Sequence, residues 1–218
     1  WMLNKVADLH PHLKKKIFLS KYYPIDTKVF KPRNKFNLRK KYNLPLDKKI
    51  ILFSAQDIDD KRKGYHYFKK ILNKLSKNDN FYFLSIGNMN KNLDYFENYK
   101  HFKFLSNNEV SEIYSLSDIF LCTSIIDNLP LTILEALSSG NLVISFKNGG
   151  ATELLKNLGQ SFRISDINKL IKFIKNISDL QIKRYSDKSR KFALNNFKNH
   201  NSKKQYQKIF NTIHKFKI

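Results

Sequence analysis

Two acidic residues eight positions apart flank a predicted helix start, and they are the side chains best placed to do chemistry. Asp127 precedes Pro130, which suits the first helical position because no backbone N–H is needed there. The helix is expected to begin at about Pro130 and to stop at Gly140. Its free N–H groups form an anion site, and Glu135 lies on the same side, one turn beyond Leu131. Beside a bound phosphate, Glu135 could accept two hydrogen bonds from a ribose diol, and Asp127 would face the group that the phosphate carries.

A basic turn, KRKG at 61–64, is the second group of residues that could bind an anion. It follows an apolar strand and precedes a helix, so Arg62 and Lys63 can approach an anion at the end of that strand. Arginine can clamp a phosphate with two hydrogen bonds, and lysine acts as a point charge. A Lys/Arg cluster in so basic a chain is usually a solvated turn. Its place between strand and helix favours phosphate binding instead.

Short apolar strands alternate with helices along the whole chain. The segment KKIILFSA is typical of a strand buried on both faces, as in parallel sheets. The alternation predicts an α/β fold with a doubly wound, Rossmann-like parallel sheet and extra C-terminal helices. Such sheets bind ligands at the carboxyl ends of their strands, where the basic turn and the acidic pair lie. We predict strands at 17–19, 48–55, 81–87, 101–105, 119–124, 142–146 and 161–164, and helices at 1–16, 39–42, 68–75, 93–99, 110–114, 130–140, 151–155, 167–174, 182–193 and 206–213.

Three local features refine this scheme. The sequence SNNE, from Ser106 to Glu109, is a capping box and predicts a helix start. Cys122 lies in the apolar segment IFLC and is expected to be a buried structural thiol in a reducing compartment. Gly149 and Gly150 predict either a turn or a close approach of the backbone to a ligand.

The strong positive charge invites a nucleic-acid-binding interpretation, since the formal net charge is +23 and the pI is about 9.9. The excess lies on the flanks: residues 1–50 and 165–218 each carry 14 Lys/Arg against three Asp, whereas residues 104–160 carry two Lys against six Asp/Glu. A nucleic-acid ligand therefore ranks last. A composition rich in Lys, Asn, Ile and Phe also accompanies an AT-rich genome, which explains part of the excess. The remainder suits an anionic membrane surface or a phosphate-bearing substrate.

Metal binding is the weaker interpretation of the remaining acidic and histidine residues. The sequence Asp57-Ile58-Asp59 matches an Asp-x-Asp pattern that some enzymes use to hold a metal ion, but a charged turn is the simpler explanation. The six histidines have no metal-ligand spacing. No apolar segment approaches the length of a membrane span, and no secretory signal is present, so a cytoplasmic location is expected. The Trp-Met beginning predicts that the chain is a fragment.

The order of several motifs resembles one family over most of the chain. YYPIDTKVFKP is similar to that family's interdomain segment, RKG to its phosphate lysine loop, and FLSIGN to the strand before its base-binding loop. DNLPLTILEALSSGNLVISFKNGGATELL resembles its signature of two acidic residues, a small-residue turn, a strand and a Gly-Gly loop. The chain thus resembles the C-terminal, donor-binding half of a retaining glycosyltransferase of the group 1 (family 4) class, which has the two-domain GT-B architecture. Its Asp-Asn-Leu-Pro variant looks like enzymes of bacterial surface-polysaccharide assembly.

This resemblance implies a role for each matching position. Glu135 would bind the ribose of a UDP- or GDP-sugar, and Asp127 would contact hydroxyls of the transferred sugar. Lys63 would bind the diphosphate, so these three residues are the implied catalytic set. The implied donor-binding set adds the Arg62 side chain, the backbone amides of Leu131 and Thr132 at the phosphates, and the backbone from Phe104 to Ser106 at the base. The leaving diphosphate would be stabilised by cations and helix-end amides, so neither a metal nor a cofactor is expected.

The sequence also departs from the family pattern. The first acidic residue is usually Glu and here is Asp127, and Asp26 directly follows Ile25 where an Asn-Gly is usual. The usual Gly-Arg after the first strand is replaced by Ala55-Gln56, so Arg62 is the residue that could substitute for that arginine. The acceptor-binding N-terminal half has no counterpart in the sequence. The chain alone is therefore expected to bind a donor and not to transfer a sugar.

These observations predict a donor-binding domain at residues 33–197, with a remnant of the N-terminal domain and interdomain segment at 1–32 and a terminal helix at 198–218. The expected partners are a nucleotide sugar, a saccharide or lipid-linked acceptor, and the missing half in cis or in trans. Peripheral contact with the anionic inner face of the plasma membrane is compatible with the charge. A non-catalytic nucleotide-sugar-binding subunit or remnant is the alternative, and nucleic-acid binding is the third hypothesis.

Overall fold

The computed structural model describes residues 8–11, 23–89, 96–147, 149–197, 207 and 210–211. The helix predicted at 1–16, the strand at 17–19 and the last helix of the tail fall largely outside these residues. The described ranges include every residue of the predicted site.

The described residues form one six-stranded sheet in which all neighbouring strands are parallel. The strands are β1 (Lys49–Asp57), β2 (Phe81–Asn88), β3 (Tyr99–Phe102), β4 (Ile119–Cys122), β5 (Leu142–Phe146) and β6 (Gly159–Phe162), and their order in the sheet is β3-β2-β1-β4-β5-β6. The first three strands are therefore added toward one edge of the sheet, and the last three toward the other, with the switch between β1 and β4. The predicted α/β fold with a doubly wound, Rossmann-like parallel sheet is confirmed.

Seven helices connect or flank the strands in the described ranges. They are α1 (Lys35–Lys41), α2 (Tyr65–Leu75), α3 (Asn107–Leu116), α4 (Leu131–Ser138), α5 (Gly149–Leu154), α6 (Ile167–Asn176) and α7 (Asp179–Asn196). Short 3-10 turns occupy Lys61–Lys63 and Ile164–Asp166. The predicted capping box at Ser106 and Glu109 is present at the start of α3.

The sheet separates two apolar cores because alternate residues of β1 point to opposite faces. Ile50 and Leu52 pack with buried residues of α3 and α4, whereas Ile51 and Phe53 pack with those of α2 and α6. Both faces of the central strands are thus covered by helices, which explains their continuous apolar sequences. Cys122 at the end of β4 is buried, as predicted, and burial raises the pKa of its thiol.

Two strands begin earlier than the sequence pattern predicts. The helix predicted at 93–99 lies partly outside the described residues; residues 97–98 form a turn, and Tyr99 is the first residue of β3, two residues before the predicted strand start. All four residues of β3 are only half-buried, since it is an edge strand, so no apolar alternation marks it. Likewise β6 begins at Gly159, whose Cβ, if present, would lie 2.2 Å from the Val143 carbonyl oxygen. Close backbone pairing, rather than apolar character, sets its start.

The segment predicted to be an interdomain linker packs against α7. The Ile25 N–H donates to the Phe197 carbonyl at 3.1 Å. The Arg190 guanidinium donates to the carbonyls of Thr27, Phe30 and Ser138 at 2.8–3.0 Å. These bonds attach residues 23–32 to the rest of the fold. The proposed domain boundaries at residues 32 and 197 stay predictions.

Candidate functional site

The basic turn at 61–63 is fastened to the loop that follows β4. The Thr123 hydroxyl donates to the Gly64 carbonyl at 2.9 Å, and the Ile125 N–H donates to the Arg62 carbonyl at 2.7 Å. Gly64 has a φ of +69°, and a Cβ there would lie 2.0 Å from the Thr123 carbonyl oxygen. Only glycine allows this contact. The turn and the loop therefore have a fixed relative position.

This contact brings together two of the predicted site residues, Lys63 and Asp127. The Lys63 ammonium lies 2.7 Å from the Asp127 carboxylate. The side chains are 30% and 19% exposed, so the pair is partly shielded from water. An ammonium and a carboxylate thus occupy the carboxyl edge of the sheet, in the segments that follow the neighbouring strands β1 and β4. The cation suits a phosphate, and the carboxylate suits a hydroxyl-bearing group.

Arg62 has a different partner from the one that the sequence predicts. Its guanidinium contacts the Asp60 carboxylate at 2.7 and 3.2 Å, and Asp60 also accepts the Arg62 backbone N–H. These bonds lower the pKa of Asp60. The Arg62 side chain is 70% exposed, and the residue lies in the middle of the 3-10 turn. The guanidinium predicted from the sequence to bind a phosphate is therefore hydrogen-bonded to the carboxylate of Asp60.

Helix α4 begins one residue later than predicted, because Pro130 is its N-cap and Leu131 is its first helical residue. Pro130 provides no side-chain hydrogen bond, so the amides of Leu131 and Thr132 have no cap from that residue. Leu131 is half-exposed at this end of the helix. Glu135 lies one turn further on, and burial raises the pKa of its carboxyl. An anion site and a partly buried carboxyl are thus aligned along one helix.

The glycine pair approaches protein backbone rather than open space. Gly149 has a φ of +49°, and a Cβ there would lie 2.0 Å from the Asp127 carbonyl oxygen. The Gly150 N–H donates to the Asn128 carbonyl at 2.6 Å. The start of α5 therefore supports the loop that carries Asp127. The glycines are required by this contact, which differs from both the simple turn and the ligand approach that the sequence suggests.

Two adjoining clefts connect these residues along the carboxyl edge of the sheet. One, of about 690 Å³, is lined by residues that include Arg62 and Lys63. The other, of about 650 Å³, is lined by residues that include Glu135 and Ser106. Both clefts share one wall, formed by Gln56, Asn88, Lys103 and Phe104. The cationic and the carboxylate parts of the predicted site are therefore continuous.

The predicted base-binding backbone is only partly available. The Ser106 N–H and hydroxyl both donate to the Glu109 carboxylate, and its carbonyl accepts from Val110. These bonds form the α3 cap and engage all three polar groups of Ser106. Phe104, in contrast, is 76% exposed on the shared wall of the clefts. Phe104 therefore offers more contact area than Ser106 to a ligand in this cleft.

Three further cleft residues, Gln56, Asn88 and Lys103, are not among the site residues predicted from the sequence. Gln56 and Asn88 lie at or next to the last residue of β1 and β2, so their position at the carboxyl edge follows only from the strand assignment. Lys103 follows β3, and its ammonium lies 5.5 Å from the centre of the Phe104 ring. This spacing fits a cation–π contact. The cleft thus has a third cation, Lys103, in addition to Arg62 and Lys63.

The Asp-x-Asp sequence forms a turn. The Asp57 carboxylate accepts the Asp59 N–H at 2.9 Å, and Ile58 between them is buried. Within the described ranges, no group of three or more His, Cys, Asp or Glu side chains is arranged to hold a metal ion. The local geometry fits the charged-turn interpretation of these aspartates.

A sequence comparison identifies the family. A model for the glycosyl transferases group 1 matches residues 34–198. The chain belongs to this family. The match includes the basic turn, the cleft wall and the acidic pair, so every predicted site residue lies within it. No curated protein sequence matches the chain.

Solved glycosyltransferase structures share the fold. Sucrose-phosphate synthase from Thermosynechococcus elongatus has 16% identity and a TM-score of 0.77, covering 96% of this chain and 57% of its own. Anabaena Alr3699/HepE in complex with UDP-glucose has 18% identity and a TM-score of 0.72, covering 89% of this chain and 57% of its own. The C-terminal domain of the group 1 glycosyl transferase LpcC from Francisella tularensis has 22% identity and a TM-score of 0.66, covering 80% of this chain and 99% of its own. This chain therefore spans little more than half the length of the first two proteins.

Proposed function

We propose that this chain is the donor-binding part of a retaining glycosyltransferase of the GT-B, family 4 type. The observation that carries the proposal is the pair of adjoining clefts with Lys63, the ion-pair partner of Asp127, in one and Glu135 in the other. A nucleoside diphosphate sugar has matching groups in the same order: an anionic diphosphate bonded to a sugar, and a ribose diol. The proposed substrate is a UDP- or GDP-sugar.

The diphosphate is proposed to bind between the basic turn and the start of α4. Lys63 supplies a positive charge, and the amides of Leu131 and Thr132 supply uncapped N–H donors. Lys63 would exchange the Asp127 carboxylate for the phosphate, which releases Asp127 to accept hydroxyls of the transferred sugar. Arg62 would contribute only after leaving Asp60.

The nucleoside is proposed to occupy the cleft that contains Glu135. The carboxylate of Glu135 would accept both ribose hydroxyls, which requires its ionised form. The base would lie against the backbone at Phe104 to Ser106, with the Phe104 ring and Lys103 at the rim. Because the polar groups of Ser106 are engaged in the α3 cap, most of this contact is assigned to Phe104 and Leu105.

The proposed reaction breaks the bond between the sugar and the diphosphate and forms one to the acceptor oxygen, with retention of configuration; the acceptor's hydroxyl proton passes to the leaving phosphate. Negative charge develops on the leaving diphosphate, where Lys63 and the α4 amides would stabilise it. Lys63 and Glu135 act through binding and orientation, and Asp127 holds the sugar. Neither a metal ion nor a resident cofactor is part of the proposed mechanism.

The acceptor is proposed to be a saccharide, carried on a lipid in surface-polysaccharide synthesis and bound by an N-terminal half in cis or in trans. Without that half, we expect the chain to be inactive in transfer. None of the helices in the described ranges has the length and apolar character needed to cross a membrane. We propose a cytoplasmic location with peripheral contact to anionic lipid, tested by cosedimentation with vesicles that do or do not contain phosphatidylglycerol.

A second candidate function is nucleotide-sugar binding without catalysis, in a partner subunit or a remnant. The Arg62–Asp60 pair favours it, because this pair leaves fewer cations for a departing diphosphate. Transfer activity after addition of the N-terminal half would exclude this candidate. Donor binding without any transfer in the completed protein would support it.

A thermal-shift panel of UDP, GDP and their sugars tests the donor assignment. A ligand at about 100 times its dissociation constant stabilises the folded chain by about 2.7 kcal/mol. We expect one base series to raise the melting temperature and the corresponding nucleoside monophosphate to raise it less. Equal shifts with single- and double-stranded oligonucleotides, abolished by salt, would instead support the nucleic-acid hypothesis.

A further inference from the structure

One fully buried tyrosine lies beneath the proposed ribose site. Tyr114, on α3, packs its ring edge-on against Phe30 at 5.8 Å and in a tilted contact with Phe120 at 5.5 Å. Its hydroxyl forms no well-aligned hydrogen bond with any residue in the described part of the chain, although Ser54 and Glu135 lie within reach of it. Buried hydroxyl groups are normally paired, and an unpaired one destabilises the fold. The position therefore needs an explanation other than apolar packing.

The polar side chains that act on this hydroxyl belong to the cleft. After burial, the negative charge of Glu135 is the largest cause of the raised pKa of Tyr114; hydrogen bonding to Glu135 also raises this pKa, and hydrogen bonding to Ser54 lowers it. Ser54 and Glu135 both line the cleft assigned to the nucleoside, as does Val110, one turn before Tyr114 on α3. The Tyr114 hydroxyl is therefore buried next to two residues of this cleft.

We infer that Tyr114 is a positioning residue for Glu135, an inference that rests on the proposed function. When a nucleotide binds, the Tyr114 hydroxyl donates to one carboxylate oxygen of Glu135, and the carboxylate is held with its remaining lone pairs toward the ribose diol. The bond also favours the ionised carboxylate, which is the form that accepts two hydroxyl donors. Tyr114 itself touches neither the sugar nor the phosphates.

A purely structural role makes a different prediction for Tyr114→Phe. The phenyl ring keeps the contacts with Phe30 and Phe120, and loss of an unpaired buried hydroxyl is neutral or stabilising. If packing were its only role, the variant would have an unchanged or higher melting temperature and unchanged nucleotide binding. The positioning role also allows the higher melting temperature, but it requires weaker binding of ribonucleotides.

The test measures dissociation constants of wild type, Tyr114→Phe and Tyr42→Phe for UDP, GDP and their 2′-deoxy forms. Tyr42 is a matched control, because its hydroxyl donates at 2.6 Å to Glu112, a glutamate of helix α3 that lies outside the clefts. For the preferred base, we expect Tyr114→Phe to weaken ribonucleotide binding about three- to tenfold and to leave the 2′-deoxy form almost unchanged. Tyr42→Phe should retain the wild-type ratio between the two forms.

A second readout is the pH dependence of ribonucleotide binding. Affinity should fall as Glu135 becomes protonated, and loss of the Tyr114 donor should move that fall to higher pH. If Tyr114→Phe keeps the wild-type ratio of affinities for the ribonucleotide and its 2′-deoxy form, with the same pH profile, the inference is overturned and the proposed function is unaffected. Failure of the wild type to bind either nucleotide would overturn both.

Discussion

Replacing Lys63 with methionine removes the cation proposed to bind the diphosphate and retains most of the apolar stem. In the free chain, Lys63 pairs with Asp127 at 2.7 Å, with side-chain exposures of 30% and 19%. A pair with this exposure lies between surface and buried ion pairs, so we expect the variant to lose about 1 kcal/mol of stability. A hydrogen bond to a charged group contributes about 1.5–3 kcal/mol, which predicts roughly 10- to 100-fold weaker binding of the nucleoside diphosphate.

Isothermal titration with the nucleoside diphosphate and with the free nucleoside separates these effects. The diphosphate should bind more weakly to Lys63→Met, whereas the nucleoside should bind equally to both proteins. Lys61→Met is the matched control, since Lys61 lies on the same 3-10 turn and its side chain is exposed. Equal affinity of wild type and Lys63→Met for the nucleoside diphosphate would refute the assignment. A loss of affinity for the free nucleoside as large as the loss for the diphosphate would refute it too.

Two other predictions concern the support of the site and the folded state. Gly149→Ala should lose at least about 1–2 kcal/mol of stability, because Gly149 has a positive φ, and it should weaken donor binding by displacing the Asp127 carbonyl. Gly140→Ala is the control: Gly140 has a φ of +78°, and a Cβ there would meet Ser186 and Pro32. This variant should lose stability in urea titrations without loss of donor binding. Burial lowers the pKa of His101 in the folded chain below its ordinary 6.5, so the unfolded chain takes up the proton more readily. The free energy of unfolding should therefore decrease as the pH falls below about 6.5 toward the folded pKa. The urea midpoint of wild type should therefore fall more between about pH 7.5 and about pH 5.5 than that of His101→Asn, and an equal fall would contradict this reasoning.

The fold was largely predictable because its central strands are buried on both faces. Continuous apolar sequences in β1, β4 and β5 identify parallel strands, and the capping box identifies the start of α3. The edge strand β3 was not located correctly, since its position is set by pairing with β2, in the register Phe83 to Tyr99, rather than by its own residues. Local sequence contains little information about such pairing.

The charged residues of the candidate site could be proposed from sequence because each lies beside a predicted helix start at the end of a strand. Asp127, Glu135 and Lys63 could be proposed on that ground. The pairing of Arg62 with Asp60 depends on the geometry of the 3-10 turn. The need for Gly149 depends on a contact with a loop about 20 residues away in sequence. Tyr114 could be assigned only to the core, because its relation to Glu135 arises from the packing of α3 against α4.

The most direct test of the proposed donor site is calorimetric titration of wild type and Glu135→Ala with the UDP- or GDP-sugar that gives the larger thermal shift. Glu153→Ala is the control, since Glu153 is an exposed glutamate on α5. We predict saturable binding to wild type and Glu153→Ala, and at least about tenfold weaker binding to Glu135→Ala. Absence of saturable binding to the wild type, or equal affinity of all three proteins, would contradict the assignment of this cleft to a nucleotide sugar.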